Sequence, residues 1–153
     1  METLIKTNLK LVDGELYRSN GDKVNVHHNN RGYAMVCVAG KFAQVHRVVF
    51  YLSNGFMPEE VDHIDGDKYN NSPENLRASN RSLNMGNQKQ RVGCIVKYKG
   101  VDYHKRTRTY RARIKGKHLG HFECPVKAAE AYDLEAIAIF GEFAKTNKML
   151  GLI

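Results

Sequence analysis

Cysteine is scarce in this 153-residue chain, and its three copies, Cys37, Cys94 and Cys124, stand far apart. An odd number with no close pair excludes a disulfide framework and a cysteine-based zinc site, leaving the three as small buried side chains. Long apolar runs are also missing. No segment approaches the roughly 18 apolar residues of a membrane span, and the first residues lack the apolar core of an export signal. A soluble, intracellular protein is the expectation. Internal repeats and low-complexity tracts are absent, and 42% hydrophobic against 26% charged residues is a globular composition rather than a disordered one. The length suits one compact domain or two small ones.

Acidic charge is nearly absent from one stretch. Residues 91–118 hold 10 Lys/Arg and 1 Asp/Glu, whereas residues 1–90 hold 11 against 10 and residues 119–153 hold 3 against 5. The net charge of +8 is therefore one local patch, which is what phosphate binding with counterion release requires.

Turn-forming residues divide the chain. Asp13 and Gly14, Asn20 to Asp22, Asn29 to Gly32 and Ala39 to Lys41 separate short apolar stretches that read as strands, with a hairpin across Gly40. Residues 46–52 are apolar enough to be buried, and Ser53 to Gly55 ends them as a helix end does. Residues 89–94, in a polar stretch, read as a linker. Beyond it, residues 110–114 alternate with period 2, Gly116 turns the chain, and residues 118–122 make another strand. Pro125 then suits the first position of a helix that Gly141 follows.

Chemistry concentrates in residues 61–84. Asp62 and His63 close a short strand, a loop follows, Asn75 to Arg77 open a second strand, and Asn80 is placed to cap a helix bearing Asn84. Phosphodiester hydrolysis needs a base to activate water and a cation to offset developing charge. His63 is the candidate base. Asp62 and Asn84 offer oxygen ligands for one divalent ion, a donor set suited to Mg²⁺ or Mn²⁺ rather than Zn²⁺.

This arrangement resembles the HNH nuclease family with the ββα-metal fold, especially its phage branch ending in Asn. Its Asp-His pair falls on Asp62 and His63, its central Asn on Asn75, and its last metal ligand on Asn84. The resemblance implies that the Asn75 amide bonds backbone across the loop and so orients the histidine. The lead-in containing His46 and Arg47 extends the resemblance over about residues 31–88. Ala78 departs from it, standing where an aromatic residue is usual. His46 either touches DNA or packs in the lead-in helix, and Arg47 is a candidate DNA contact. His27, His28, His104, His118 and His121 receive no catalytic role.

In the strand at residues 110–115, Tyr110, Ala112 and Ile114 share one face, while Arg111, Arg113 and Lys115 share the other. Arginines on a sheet can read guanine in the major groove, with Lys97, Lys99, Lys105, Arg106, Arg108 and Lys117 neutralising phosphates. Segments 100–104, 110–114, 118–122, 128–133 and 141–147 together are similar to the ethylene-response-factor (AP-two) DNA-binding domain. Tyr110 stands where that family has Trp, and Cys124 where Thr or Ser is common.

The expected fold class is α+β: a ββα-metal HNH nuclease domain over 1–88, a linker at 89–94, then a three-stranded antiparallel sheet packed on one helix over 95–150. The two resemblances together imply a homing-type DNA endonuclease with one Mg²⁺ or Mn²⁺ per site. They further imply double-stranded DNA as partner, no membrane, a monomer or homodimer, and a phage-encoded protein in a bacterial host's cytoplasm. The alternative is a DNA-binding regulator with a degenerate nuclease domain; an RNA-binding protein would need exposed stacking aromatics. From the charge distribution, a chain truncated after Gly93 is expected to bind duplex DNA far more weakly than the whole chain. Binding titrations over a salt series measure this, and equal affinities would remove the basic segment as the anchor.

Overall fold

The computed structural model describes residues 1–88 and 95–153; Cys94 and the expected linker at 89–94 lie outside the described residues. The α+β expectation holds, and the chain divides into two compact units, Met1–Arg81 and Ser82–Ile153. Among the described residues no helix is long and apolar enough to cross a membrane.

The first unit opens with helix α1 (Glu2–Asn8), which the sequence reading did not anticipate because its seven residues span barely two turns. A hairpin of β1 (Leu9–Val12) and β2 (Glu15–Arg18) follows. Strands β3 (His27–His28), β4 (Ala34–Val38) and β5 (Lys41–Gln44) form an antiparallel sheet in that order. The β1–β2 and β4–β5 turns are two-residue links, Asp13 with Gly14 and Ala39 with Gly40. All four residues have positive φ, the geometry that matches the twist of paired strands.

Helix α2 (Val45–Asn54) buries Val45, Val48, Val49, Phe50 and Tyr51 and ends where Gly55 takes a left-handed φ of 80°. Its apolar stripe meets Ile5, Leu9, Val36 and Val38 in one core, to which Val61 and Leu76 also belong. Those last two residues lie on β6 (Glu60–His63) and β7 (Leu76–Ser79), an antiparallel pair. Burial of Val61 and Leu76 therefore anchors the hairpin that carries Asp62 and His63.

In the second unit, β8 (Val101–His104), β9 (Thr109–Ile114) and β10 (Lys117–Phe122) form an antiparallel sheet with β9 central. Helix α4 (Pro125–Phe140) begins at Pro125 and is followed by Gly141, as the sequence predicts. Ala128, Ala129 and Ala136 are at most 1% exposed, and such small side chains let the helix approach Ala112 and Ile114 of the sheet closely. Helix α3 (Arg81–Asn87) also packs here, Leu83 joining the core around Phe140. Cys37 and Cys124 are free thiols, each partly buried.

A buried polar knot ties the end of this unit. Asn147, fully buried, accepts the Lys99 N–H at 2.6 Å and donates to the Asp133 carboxylate at 2.8 Å and the Lys99 carbonyl at 3.2 Å. Lys99 lies alongside, 7% exposed, its ammonium donating to the carbonyls of Gly86 at 2.7 Å and Lys145 at 3.0 Å. Burial, reinforced by the Lys145 charge and only partly opposed by Asp133, pushes the Lys99 amine down to about 8. Between about pH 8 and the ordinary lysine value the folded chain then holds fewer protons than the unfolded one, so stability rises with pH. Urea midpoints of the full chain are expected to increase over the lower part of that window, and Lys99→Met is expected to abolish the increase. A wild-type midpoint that falls instead would refute the buried-amine assignment.

Candidate active site on the β6–β7 hairpin

Strand pairing places Asp62 opposite Arg77 and His63 opposite Leu76. Asp62 is half-buried, and both Nε and a terminal nitrogen of Arg77 donate to its Oδ2, at 3.0 and 2.9 Å. Charge-assisted bonds of this kind fix the carboxylate's orientation. His63, on the opposite face of β6, is 6% exposed, and its Nε2 lies 3.2 Å from the side-chain oxygen of Asn71. Since that oxygen can only accept, Nε2 is the donor in this contact, and in the neutral ring the lone pair is on Nδ1.

The loop between the strands is laced from within. Asn75 accepts the Asp65 N–H at 3.1 Å and donates to the Asp65 carboxylate at 3.0 Å and the Asn70 carbonyl at 2.8 Å. Partial desolvation raises the Asp65 carboxyl, but bonds from the Asp67 N–H, Asn70 and Asn75 outweigh it and hold the group below the usual carboxylate range.

Helix α2 braces this hairpin from its first turn. His46, 4% exposed, packs its ring 5.0 Å from that of His63 and 5.4 Å from that of Tyr33. Its Nδ1 is buried without a hydrogen-bond partner. Burial, with the charges of His63 and Arg47 nearby, pushes the imidazole down to about 4, so it stays neutral in ordinary buffers. The open choice for His46 thus resolves to packing, and it cannot serve as a surface DNA contact. The Arg47 guanidinium donates to the carbonyls of Pro58 and Glu59, both at 3.1 Å, gripping the backbone that leads into β6.

Asp62, His63 and Asn75 therefore come together on one hairpin. Asn84 lies on α3, whose residues from Ser82 onward pack within the second unit. Among the described residues, no three His, Cys, Asp or Glu side chains are grouped to hold a metal. The donor set at hand, a carboxylate and amide oxygens, fits a hard divalent ion that takes much of its shell from water and phosphate. Two neighbours escaped the sequence reading. Asn71 was hidden in a polar run, but the opposition of Arg77 to Asp62 follows from pairing the two strands and could have been found.

The expected DNA-contacting side chains separate into two groups. Arg111 and Arg113 lie on the sheet face away from α4, both bound to Asp102, the Arg111 contacts measuring 3.0 and 3.2 Å. Lys105, Arg106 and Arg108 are exposed in the β8–β9 turn. Lys99 is withdrawn from the set because it is buried. Lys115 lies beyond the end of β9, in the turn with φ 46°, and donates to Ser82 at 2.7 Å, so it does not share the arginine face. Lys117 pairs with Glu135 of α4 at 2.7 Å, and Lys97 sits over the Tyr98 ring at 5.0 Å.

Residues 43–85, which take in helix α2, the β6–β7 hairpin and the start of α3, match the HNH endonuclease family. The chain is also similar to an uncharacterized HNH endonuclease of Acanthamoeba polyphaga mimivirus, at 33% identity over 125 residues. That similarity covers 77% of this chain but only 64% of the mimivirus protein, so the chain spans less than two thirds of its relative's length. No solved structure matches the chain.

Removing the Asn75 amide would take its bonds from the Asp65 N–H and the Asn70 carbonyl, while the Asp65 carboxylate would keep those from the Asp67 N–H and Asn70. Asn75→Ala is expected to lower the unfolding free energy by about 1–3 kcal/mol, read from urea titration of the full chain. An unchanged midpoint would show that the loop is held by other means.

Proposed function

We propose that this chain is a metal-dependent DNA endonuclease of the homing type, hydrolysing phosphodiester bonds with His63 as general base. The observation that carries this reading is the β6–β7 hairpin, which fixes the Asp62 carboxylate and the His63 ring on adjacent positions within the residues that match the HNH endonuclease family. Nε2 of His63 is held by Asn71 as a donor, so Nδ1 is the nitrogen suited to take a proton from water. Asn75 keeps the loop and hence Asn71 in place. His46 adds a neutral ring behind His63 and so does not compete for the proton. Asp62 supplies the carboxylate ligand and, by its place in the motif, Asn84 supplies an amide oxygen. One Mg²⁺ or Mn²⁺ bound there would stabilise charge developing on the phosphate oxygens.

In this reading the second unit is the DNA-binding module, of the ethylene-response-factor (AP-two) type. Support comes from the charge concentrated in residues 91–118 and from the three-stranded sheet that presents Arg111 and Arg113 away from its packing helix. The substrate is double-stranded DNA, and the setting is a phage-infected bacterial cytoplasm.

The test is relaxation of supercoiled DNA by the full chain with Mg²⁺ or Mn²⁺ and with chelator. His63→Ala is expected to slow cleavage by about 10²–10⁴-fold while leaving DNA affinity unchanged. Cleavage that persists in chelator, or a His63→Ala variant that cuts like the wild type, would overturn the mechanism. Binding without cleavage under every metal condition would favour the degenerate-nuclease alternative.

A further inference from the structure

The open face of the β8–β9–β10 sheet carries three histidines to which neither the motif nor the charge count assigned a role. Ala112 and Ile114 of β9 are buried towards α4, so Thr109, Arg111 and Arg113 lie on the other face by strand alternation. Pairing sets His104 of β8 beside Thr109, and His118 and His121 of β10 beside Arg113 and Arg111. Three residues apart, His118 and His121 would point to opposite faces of a regular strand. A register shift between His118 and Gly120 brings them to the same one. The His104 and His121 rings lie 5.3 Å apart, and those of His118 and His121 4.9 Å apart.

A chain of hydroxyls joins two of these rings. His104 Nδ1 lies 2.8 Å from Thr107 Oγ1, the two threonine hydroxyls lie 2.7 Å apart, and Thr109 Oγ1 lies 2.8 Å from His121 Nδ1. Three bonds between four groups require three protons, and the hydroxyls supply only two. At least one neutral imidazole must therefore donate from Nδ1, leaving a bare lone pair on its Nε2; with both hydroxyl protons used within the chain, the other accepts at Nδ1 and bears its proton on Nε2. A single added proton, on the bare Nε2, turns both outer nitrogens into donors without breaking any bond of the chain.

The charged groups in register on this face are Asp102 of β8 and Arg111 and Arg113 of β9. Asp102 is engaged by both arginines. Desolvation, then the neighbouring His118, His104 and Arg111, hold His121 below the usual imidazole range, with Asp102 opposing. A phosphate laid over the face would act in the opposite sense, favouring the charged rings.

We propose that His104, His118 and His121 form a proton-linked phosphate-binding patch, on which a DNA phosphodiester seats against the imidazole Nε2 atoms as the protein takes up about one proton. The patch rests on the reading of this sheet face as a DNA surface. Affinity then rises as pH falls through the histidine range, because the complex holds the proton more tightly than the free chain.

The experiment is binding of the full chain to a short mixed-sequence DNA duplex in chelator at constant ionic strength, from about pH 8 to about pH 6. Wild-type affinity is expected to rise by up to about tenfold per pH unit, the limit for one proton. The triple variant His104→Gln, His118→Gln, His121→Gln is expected to show a flat profile. Thr109→Val, which keeps all three rings but frees each to place its proton on Nε2, is expected to bind with a shallower pH slope. A flat wild-type profile, or the full slope retained in the triple variant, overturns the patch. Arg111→Ala and Arg113→Ala distinguish the two failures. If they weaken binding while the histidines prove irrelevant, only proton linkage falls. If they bind like the wild type, the face is not the DNA surface and both readings fall.

Discussion

The side-chain amide of Asn75 closes the long loop between β6 and β7 onto itself, and the candidate site depends on that closure. Each strand of the pair has only four residues, and a hairpin so short is marginal without packing on one face. Val61 and Leu76 supply the packing; Asn75 supplies the order in the loop that the strands cannot impose. Asn71, within that loop, then meets His63, and Arg77, one step beyond Leu76, meets Asp62. Each polar group at the site is thus held by a neighbour placed by strand register or by the laced loop. Preorganisation of this kind is what an acid–base site needs, because a base that must first be oriented loses rate.

The lead-in helix contributes by a different route. His46 and Arg47 adjoin in sequence and lie in the first turn of α2, yet they do separate work: one packs a neutral ring against His63, the other binds the backbone entering β6. Both side chains brace the β6–β7 hairpin. The cost is a buried imidazole nitrogen without a partner, and native structures keep few of these.

In the second unit, a buried amide again organises its surroundings. Asn147, itself held by the Asp133 carboxylate, binds the backbone of Lys99, next to Gly100, which has φ 76° and has no room for a side chain against Tyr132. Val96 and Tyr98 of that segment pack with Ala112 and with Ala128 and Ala129 of α4, and the opposite side of the sheet is left to carry charge. There the arginines are shared with Asp102 rather than standing alone, which sets their orientation and moderates the local charge.

Sequence alone was enough for the α+β class, the hairpin turns, both ends of α4 and the placing of Asp62, His63 and Asn75 on one strand–loop–strand unit, because each depends on local rules: period-2 alternation, Gly and Pro at element ends, and residue spacing within one supersecondary unit. It could not separate lysines by environment. Lys99, Lys115 and Lys117 are alike in a charge count, but one is buried against carbonyls, one sits in a turn and one pairs with α4. Nor could it find the Asn71 contact to His63, or the His104–Thr107–Thr109–His121 chain, whose members lie on different strands and in the turn between two of them. Register, a strand irregularity and burial decide which of these side chains meet. Those are properties of strands already paired and cores already packed, so only the tertiary structure determined them.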